Sequence, residues 1–236
     1  MISPSMVKLI TCLPKGLVSF VSRKVLMGYI KKYANIRING LENLDGCKKP
    51  ILFICNHLSN SDALVIDNIL KNQDITFVAG VKLNSTPLTS LGMSITKTIG
   101  IKPNTADKEA ISNIIKTLKK GNNILIFPEG TRSRTASMIE AKKGVVLIQR
   151  LSKATVVPLG LVGTEKFLPI NDSDMGSEEF QYADITLNIG NPIDNVPKKE
   201  KDEDKHDYEE RITKFFMESI AELLPESYQG VYKIKK

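Results

Sequence analysis

A histidine and an aspartate lie five residues apart, just after an apolar run that predicts a β-strand. The run is Ile51–Cys55, and it is followed by His57, the polar residues 59–61 and Asp62. A carboxylate that accepts a hydrogen bond from one imidazole nitrogen sets the ring's tautomer and supports positive charge on it. The other nitrogen is then free to take a proton from a hydroxyl. The pair therefore predicts a general base, His57, and the carboxylate that orients it, Asp62.

The five-residue spacing indicates where the two side chains must lie. On one continuous α-helix, five steps of about 100° leave two side chains roughly 140° apart, which keeps them from touching. We therefore expect His57 in a loop and Asp62 in the first turn of the following helix. The segment alone leaves another interpretation open: Asp62 pairs with Ser59 in a capping box, and His57 is an ordinary hydrogen-bonded turn residue.

A second strand-and-turn segment carries residues that are suited to binding an anion. It runs from Asn122 to Ser133, and Pro128 ends its strand because proline cannot donate a ladder hydrogen bond. Gly130 permits close approach of the backbone to a ligand. Arg132 can bind a phosphate through two parallel hydrogen bonds, although a surface turn with an exposed arginine would show the same residues.

Four sequence blocks together resemble the glycerolipid acyltransferase family over residues 50–165. They are His57-x-x-x-x-Asp62, Phe127-Pro-Glu-Gly-Thr-Arg-Ser133, Lys142-Lys143-Gly144, and the stretch 156–163 with its Pro158. Their order and spacing are those of the family. The type that they resemble most is the 1-acylglycerol-3-phosphate acyltransferase.

The resemblance implies an enzyme that moves a fatty acyl group from an acyl thioester to the free hydroxyl of lysophosphatidic acid, giving phosphatidic acid. The thioester, on acyl-carrier protein or coenzyme A, would be the co-substrate, and neither a further cofactor nor a metal is expected. His57 would be the general base, and Asp62 would orient it. Arg132 would hold the acceptor's phosphate. The acceptor site would also include Glu129, Gly130 and Thr131.

One block departs from the family pattern. Relatives often place an arginine shortly after a glycine and an apolar pair, whereas this chain reads Gly100-Ile-Lys-Pro-Asn104. Lys102 is the nearest cation, and it would bind the acceptor as a point charge without arginine's planar fork. The acceptor therefore stays open to another lysophospholipid or to glycerol 3-phosphate. A thioesterase, which transfers the acyl group to water, is the alternative reaction.

The net positive charge of the chain comes from its N-terminal part. Seven cations precede the first acidic residue, Glu42, whereas the other 26 basic residues balance the 26 acidic ones. Residues 6–33 predict a helix that is broken near Pro14–Gly16. We therefore predict that residues 1–35 rest on an anionic membrane surface and precede an α/β domain at 36–236. The same helix could instead pack on the protein's own core, with its lysines in solvent.

The composition of the chain indicates where the protein is located in the cell and which partners it binds. No apolar run reaches the roughly 18–20 residues of a spanning helix, so a peripheral position on the cytoplasmic face of a membrane is expected. Three cysteines without paired spacing, Cys12, Cys47 and Cys55, are typical of a reducing compartment. The lack of tryptophan argues against a stacking platform for nucleic acid. A non-catalytic protein that binds lipid or nucleic acid through its basic N-terminus is the remaining interpretation.

Short apolar runs alternate with helical patterns from residue 36 onward. The predicted strands are Ile36–Asn39, Ile51–Cys55, Ile75–Ala79, Ile124–Phe127, Thr155–Leu161 and Ile185–Ile189. The predicted helices are 61–71, 86–98, 107–120, 140–152 and 207–224. This alternation predicts an α/β fold with a mixed, largely parallel central sheet flanked by helices. The charged run 197–210 is predicted to be a solvated connector, so His206 within it is not expected to be catalytic.

Overall fold

Seven strands form one central sheet. The computed structural model describes residues 9–10, 12–81, 87–103, 105–171 and 178–234. The strands are β1 (Ala34–Asn39), β2 (Ile51–Cys55), β3 (Ile75–Gly80), β4 (Lys97–Ile101), β5 (Asn123–Ile126), β6 (Thr155–Val162) and β7 (Ala183–Ile189). They lie in the order β1-β7-β6-β2-β5-β3-β4, and only the β6–β7 pair is antiparallel. The predicted mixed, largely parallel sheet is confirmed.

Helices cover both faces of the sheet and form two cores with it. They are α1 (Lys15–Tyr33), α2 (Asp62–Ile69), α3 (Pro87–Ile95), α4 (Lys108–Lys119), α5 (Gly144–Ser152), α6 (Thr164–Phe167) and α7 (Lys205–Ala221). Along β2, Phe53 belongs to the core shared with α1, α2 and α3, whereas Ile54 belongs to the core shared with α4, α5 and α7. This alternation buries β2 on both faces, which explains its continuous apolar sequence.

Two element predictions were wrong in part. A helix was predicted up to residue 98 and no strand from there to residue 124, yet the helix ends at Ile95 and Lys97–Ile101 forms β4 at the sheet edge. Its short sequence carries a lysine and a glycine, which favour strands poorly, so pairing with β3 decides its conformation. The helix predicted at 140–152 begins only at Gly144, because the residues before it are held by the backbone of other loops.

The N-terminal helix packs on the sheet with one face. It begins after Pro14, in agreement with the predicted break, and Leu26 and Ile30 are buried in the core. Arg23 donates to the Asp67 carboxylate at 3.1 Å and to the Ile95 carbonyl at 2.8 Å. Residues 1–8 and 11, which include part of the predicted helix, lie outside the described residues. Within the described chain, no helix is both long enough and apolar enough to cross a membrane.

Candidate active site

Two loops meet at the carboxyl edge of the sheet. β2 and β5 are parallel neighbours, so the loops that follow Cys55 and Ile126 leave the sheet side by side. Loops at this edge are where α/β sheets build their sites. The segments 56–62 and 127–133, which carry the two sequence motifs, are thereby brought together.

His57 and Asp62 are in direct contact, as their spacing predicted. His57 Nδ1 lies 2.7 Å from Asp62 Oδ2, with His57 in the loop and Asp62 as the first residue of α2. The same Oδ2 accepts the backbone N–H groups of Leu58 at 2.7 Å and Ser59 at 2.9 Å. The carboxylate is fully buried, whereas the imidazole is 20 % exposed. Asp62 therefore both shapes the turn and orients the ring.

The second oxygen of Asp62 and the second ring nitrogen of His57 make no hydrogen bond within the part of the chain that the structure describes. Asp62 Oδ1 is buried and has no hydrogen-bond partner there. The ring nitrogen Nε2 of His57 likewise makes no hydrogen bond to the described residues, while Nδ1 faces the carboxylate. With its proton on Nδ1, the neutral ring presents Nε2 as a hydrogen-bond acceptor. This is the arrangement that a general base requires.

Asn56 connects the turn to the neighbouring strand. Its side-chain oxygen accepts the Leu161 N–H at 2.8 Å, and its side-chain nitrogen donates to the Leu161 carbonyl at 2.8 Å. The buried amide thus continues the pairing of β2 with β6 by one residue, although the backbone has already turned away. The start of the His57 turn is held in place by these two bonds.

The loop 127–133 holds His57 from three sides. The Phe127 ring stacks on the imidazole, with ring centroids 4.0 Å apart and planes 14° from parallel. The Glu129 carboxylate accepts the His57 backbone N–H at 2.8 Å, and the Ser133 N–H donates to the His57 carbonyl at 2.8 Å. These contacts restrict both the ring and the backbone of His57 before any substrate binds.

Glu129 points inward. Only 1 % of the residue is exposed, and its second oxygen accepts the Ile139 N–H at 3.0 Å. Burial raises the pKa of the Glu129 carboxyl to about 7; the N–H groups of Ile139 and His57 oppose this shift, and the charge of Asp62 adds to it. The family resemblance implied that Glu129 belongs to the acceptor site. In this structure its side chain contacts backbone, so it shapes the site by holding the His57 turn.

Gly130, Thr131 and Arg132 form the outer part of the loop. Gly130 has a φ of 71° and is exposed, as is Thr131. The aliphatic stem of Lys142 lies 3.4 Å from the position that a Cβ on Gly130 would take. The Arg132 Nη1 donates to the Glu178 carboxylate at 2.9 Å, and the same carboxylate accepts the Asn60 amide at 2.8 Å. Sequence reasoning missed Glu178, which has no motif and lies far from Arg132 in the chain.

Lys102 lies apart from these residues. It follows β4 at the edge of the sheet, is exposed, and donates its backbone N–H to Asp107 at 3.0 Å. Three strand spacings separate β4 from β2, which corresponds to about 14 Å. The structure does not bring Lys102 into contact with His57 or Arg132. No group of three or more potential metal-ligating side chains occurs among residues 9–10, 12–81, 87–103, 105–171 and 178–234.

Comparisons with known proteins identify the family and the type of fold. The family model described as Acyltransferase matches residues 35–162, more than half of the chain. The 1-acyl-sn-glycerol-3-phosphate acyltransferase LPAT1 of Arabidopsis thaliana is 29% identical over 167 residues, covering 70% of this chain and 45% of that protein. A probable 1-acyl-sn-glycerol-3-phosphate acyltransferase of Mycoplasma genitalium is 32% identical over 125 residues, covering 50% of this chain and 46% of that protein.

A solved structure shares the fold. The 1-acyl-sn-glycerophosphate acyltransferase PlsC of Thermotoga maritima superposes with a TM-score of 0.60 at 20% identity, covering 93% of this chain and 88% of that one. By contrast, this chain spans less than half the length of the two curated relatives described above, 45% and 46%. The match with the Thermotoga maritima structure shows that the two chains share one fold.

Proposed function

The chain belongs to the acyltransferase family, and on this premise we propose that it transfers a fatty acyl group from an acyl thioester to the free hydroxyl of lysophosphatidic acid. The product is phosphatidic acid. The observation that carries the proposal is the 2.7 Å contact between His57 Nδ1 and the buried Asp62 carboxylate, beside the loop that bears Arg132. The names of the relatives support the choice of acceptor.

The reaction proceeds in one transfer step, with His57 moving the proton. The acceptor hydroxyl gives its proton to His57 Nε2 while its oxygen attacks the thioester carbonyl carbon. The C–S bond then breaks, and the leaving thiolate takes the proton back from the imidazolium. Asp62 stabilises the ring while it is charged. No Gly-x-Ser-x-Gly elbow occurs in the sequence, so nothing supports a serine acyl-enzyme.

Arg132 is the residue that selects a phosphate-bearing acceptor in this proposal. A phosphate monoester carries about −1.5 to −2 charge near neutral pH, and a guanidinium offers it a planar set of donors. Water needs no such group, which favours acyl transfer over thioester hydrolysis. Because Lys102 lies about three strands from the His57 turn, we assign it no contact with the reacting hydroxyl.

The proposed function is tested by a product assay on the purified full chain. The protein is offered an acyl thioester of coenzyme A or of acyl-carrier protein, with lysophosphatidic acid, glycerol 3-phosphate or lysophosphatidylcholine as acceptor. We expect phosphatidic acid from lysophosphatidic acid at a rate about tenfold or more above product formation from lysophosphatidylcholine, which lacks the phosphate monoester that Arg132 binds. Faster acylation of glycerol 3-phosphate would identify that compound as the acceptor instead. Thioester loss that is independent of any acceptor would identify a thioesterase instead.

The membrane position is also a proposal, and the outer face of α1 supports it. Phe20 is 67% exposed, and Leu17 one turn earlier is exposed as well. Lys24 and Lys31 continue the same helical stripe toward the C-terminal end and face solvent. An exposed apolar end followed by cations fits a helix that dips into lipid and contacts anionic head groups. We place the protein on the cytoplasmic face of such a membrane.

Replacing Phe20 with aspartate should weaken binding to vesicles that contain anionic phospholipid. Burial of a phenylalanine contributes about 1.5–3 kcal/mol, so the affinity for these vesicles should fall by about tenfold or more. Co-sedimentation with vesicles of phosphatidylglycerol and phosphatidylcholine measures this. The matched control is Leu151→Asp on α5, an apolar residue 45% exposed on the opposite side of the sheet. Equal binding of both variants would rule out docking through α1.

A further inference from the structure

A buried carboxylate connects the two loops of the site. The side chain of Glu178 is 1% exposed. One of its oxygens accepts Arg132 Nη1 at 2.9 Å, and the other accepts Asn60 Nδ2 at 2.8 Å. Arg132 belongs to the loop after β5, whereas Asn60 belongs to the turn between His57 and Asp62. Glu178 therefore bridges the predicted phosphate-binding residue and the turn that carries the base.

The backbone that carries Glu178 is anchored on the core. The Phe180 ring lies between Phe167 and Tyr29, with centroids 4.9 and 5.0 Å away. The Gln181 N–H donates to the Phe167 carbonyl at 2.9 Å. Since two rings and a backbone bond hold the next residues, the carboxylate is presented from a supported position. Such support is what holds a side chain in a productive geometry.

The pairing has a consequence for Arg132. Its side chain is only 15% exposed, and a guanidinium taken out of water needs a compensating charge. Because the guanidinium is planar, a hydrogen bond to one Nη also sets the plane of its other donors. We propose that Glu178 is a positioning residue, which presents Arg132 to the acceptor's phosphate and ties it to the His57 turn through Asn60. This inference rests on the proposed function, in which Arg132 holds that phosphate.

Kinetics of Glu178→Gln test the role. The amide is nearly the same size but has one acceptor oxygen, so it cannot hold both Arg132 and Asn60. Loss of a charge-assisted hydrogen bond should raise KM for lysophosphatidic acid by about tenfold. The KM for the acyl thioester and the kcat at saturating acceptor should stay within about twofold, since His57 and Asp62 keep their contacts. Glu179→Gln, which changes the exposed neighbouring carboxylate, should match the parent protein.

A double-mutant cycle separates positioning from general damage. If Glu178 acts through Arg132, then Arg132→Ala and Arg132→Ala/Glu178→Gln should have the same KM for lysophosphatidic acid. Glu178→Asp keeps the charge but is one methylene shorter, so its KM should lie between the parent and Glu178→Gln. This second variant also serves if Glu178→Gln fails to fold.

Other outcomes overturn the inference without touching the proposed function. A lower acceptor KM in Glu178→Gln would mean that the carboxylate competes with the phosphate for Arg132. Equal losses for both substrates, or additive effects in the cycle, would mean a structural role only. In each case the parent protein still forms phosphatidic acid. If the parent forms none, the proposed function itself has failed.

Discussion

Replacing His57 with alanine should lower kcat for acyl transfer by about 10²–10⁴-fold, the usual contribution of a general base. The acceptor hydroxyl would have to lose its proton without a positioned nitrogen, because the substitution removes Nε2, which makes no hydrogen bond to the described residues and can accept the proton. Product formation from lysophosphatidic acid, measured at saturating concentrations of both substrates, gives the effect directly. Binding to anionic vesicles should be unchanged, since His57 contacts Asp62 and the loop 127–133 and not the exposed stripe of α1.

A second variant distinguishes lost chemistry from a damaged turn. Alanine removes the stacking of His57 on Phe127 and one hydrogen bond to Asp62. In His57→Asn, the side-chain amide nitrogen lies near the position of Nδ1 and can still donate to Asp62, but no basic nitrogen remains. Both variants should be equally inactive. His206→Ala, which alters the exposed histidine beside Lys143, should retain full activity. Substantial turnover by His57→Asn would show that the imidazole is not the base.

The His57 turn could be predicted from sequence because its determinants are local. Strand β2 ends where the apolar run ends, and α2 begins at Asp62, five residues after His57. The geometric argument that the pair must span a loop and a first helical turn is confirmed by the 2.7 Å contact. The capping interpretation was also partly right, since the Ser59 N–H donates to the Asp62 carboxylate. One carboxylate performs both tasks.

Long-range contacts account for what the sequence did not show. Glu178 reaches Arg132 across 46 residues, and neither residue's neighbours indicate the pairing. Burial of Glu129 could not be predicted either, because it depends on where the Ile139 backbone lies. That stretch is in turn held by the C-terminal segment, where Met138 exchanges backbone bonds with Tyr228 and Val231. Such pairings are set by tertiary packing and leave no periodic pattern.

The order of the strands determines where Lys102 lies relative to the His57 turn. Spacing along the chain made it the nearest cation to the position where the family often has an arginine. The sheet places β5 and β3 between β2 and β4, so Lys102 follows a strand about 14 Å from the one that precedes His57, and its role in acceptor binding stays a prediction. The order of strands in a parallel sheet follows from crossover connections, which short sequence blocks do not specify.

Asp62→Asn should lower kcat by about 10–10³-fold while leaving the geometry of the turn intact. An opposite charge nearby shifts a pKa by about 1–3 units, so loss of the carboxylate makes protonation of His57 less favourable by that factor. The three donors on Oδ2 can all be accepted by the amide oxygen of asparagine. The amide nitrogen then takes the place of Oδ1, which has no partner among the described residues. The substitution therefore removes the charge and keeps the three acceptor contacts, but it leaves the new amide N–H groups without an acceptor among the described residues.

The result decides between the two interpretations of this aspartate. If Asp62 only holds the backbone of the turn, an asparagine that keeps the same three acceptor contacts should retain kcat within a few fold, because each donor still finds an acceptor oxygen. If Asp62 supports positive charge on His57 during proton transfer, kcat should fall although the protein stays folded. A buried amide without a partner costs about 1–3 kcal/mol, so urea unfolding must accompany the kinetics. Asp74→Asn, at an exposed carboxylate paired with Lys97, provides the matched change that should leave kcat unaltered.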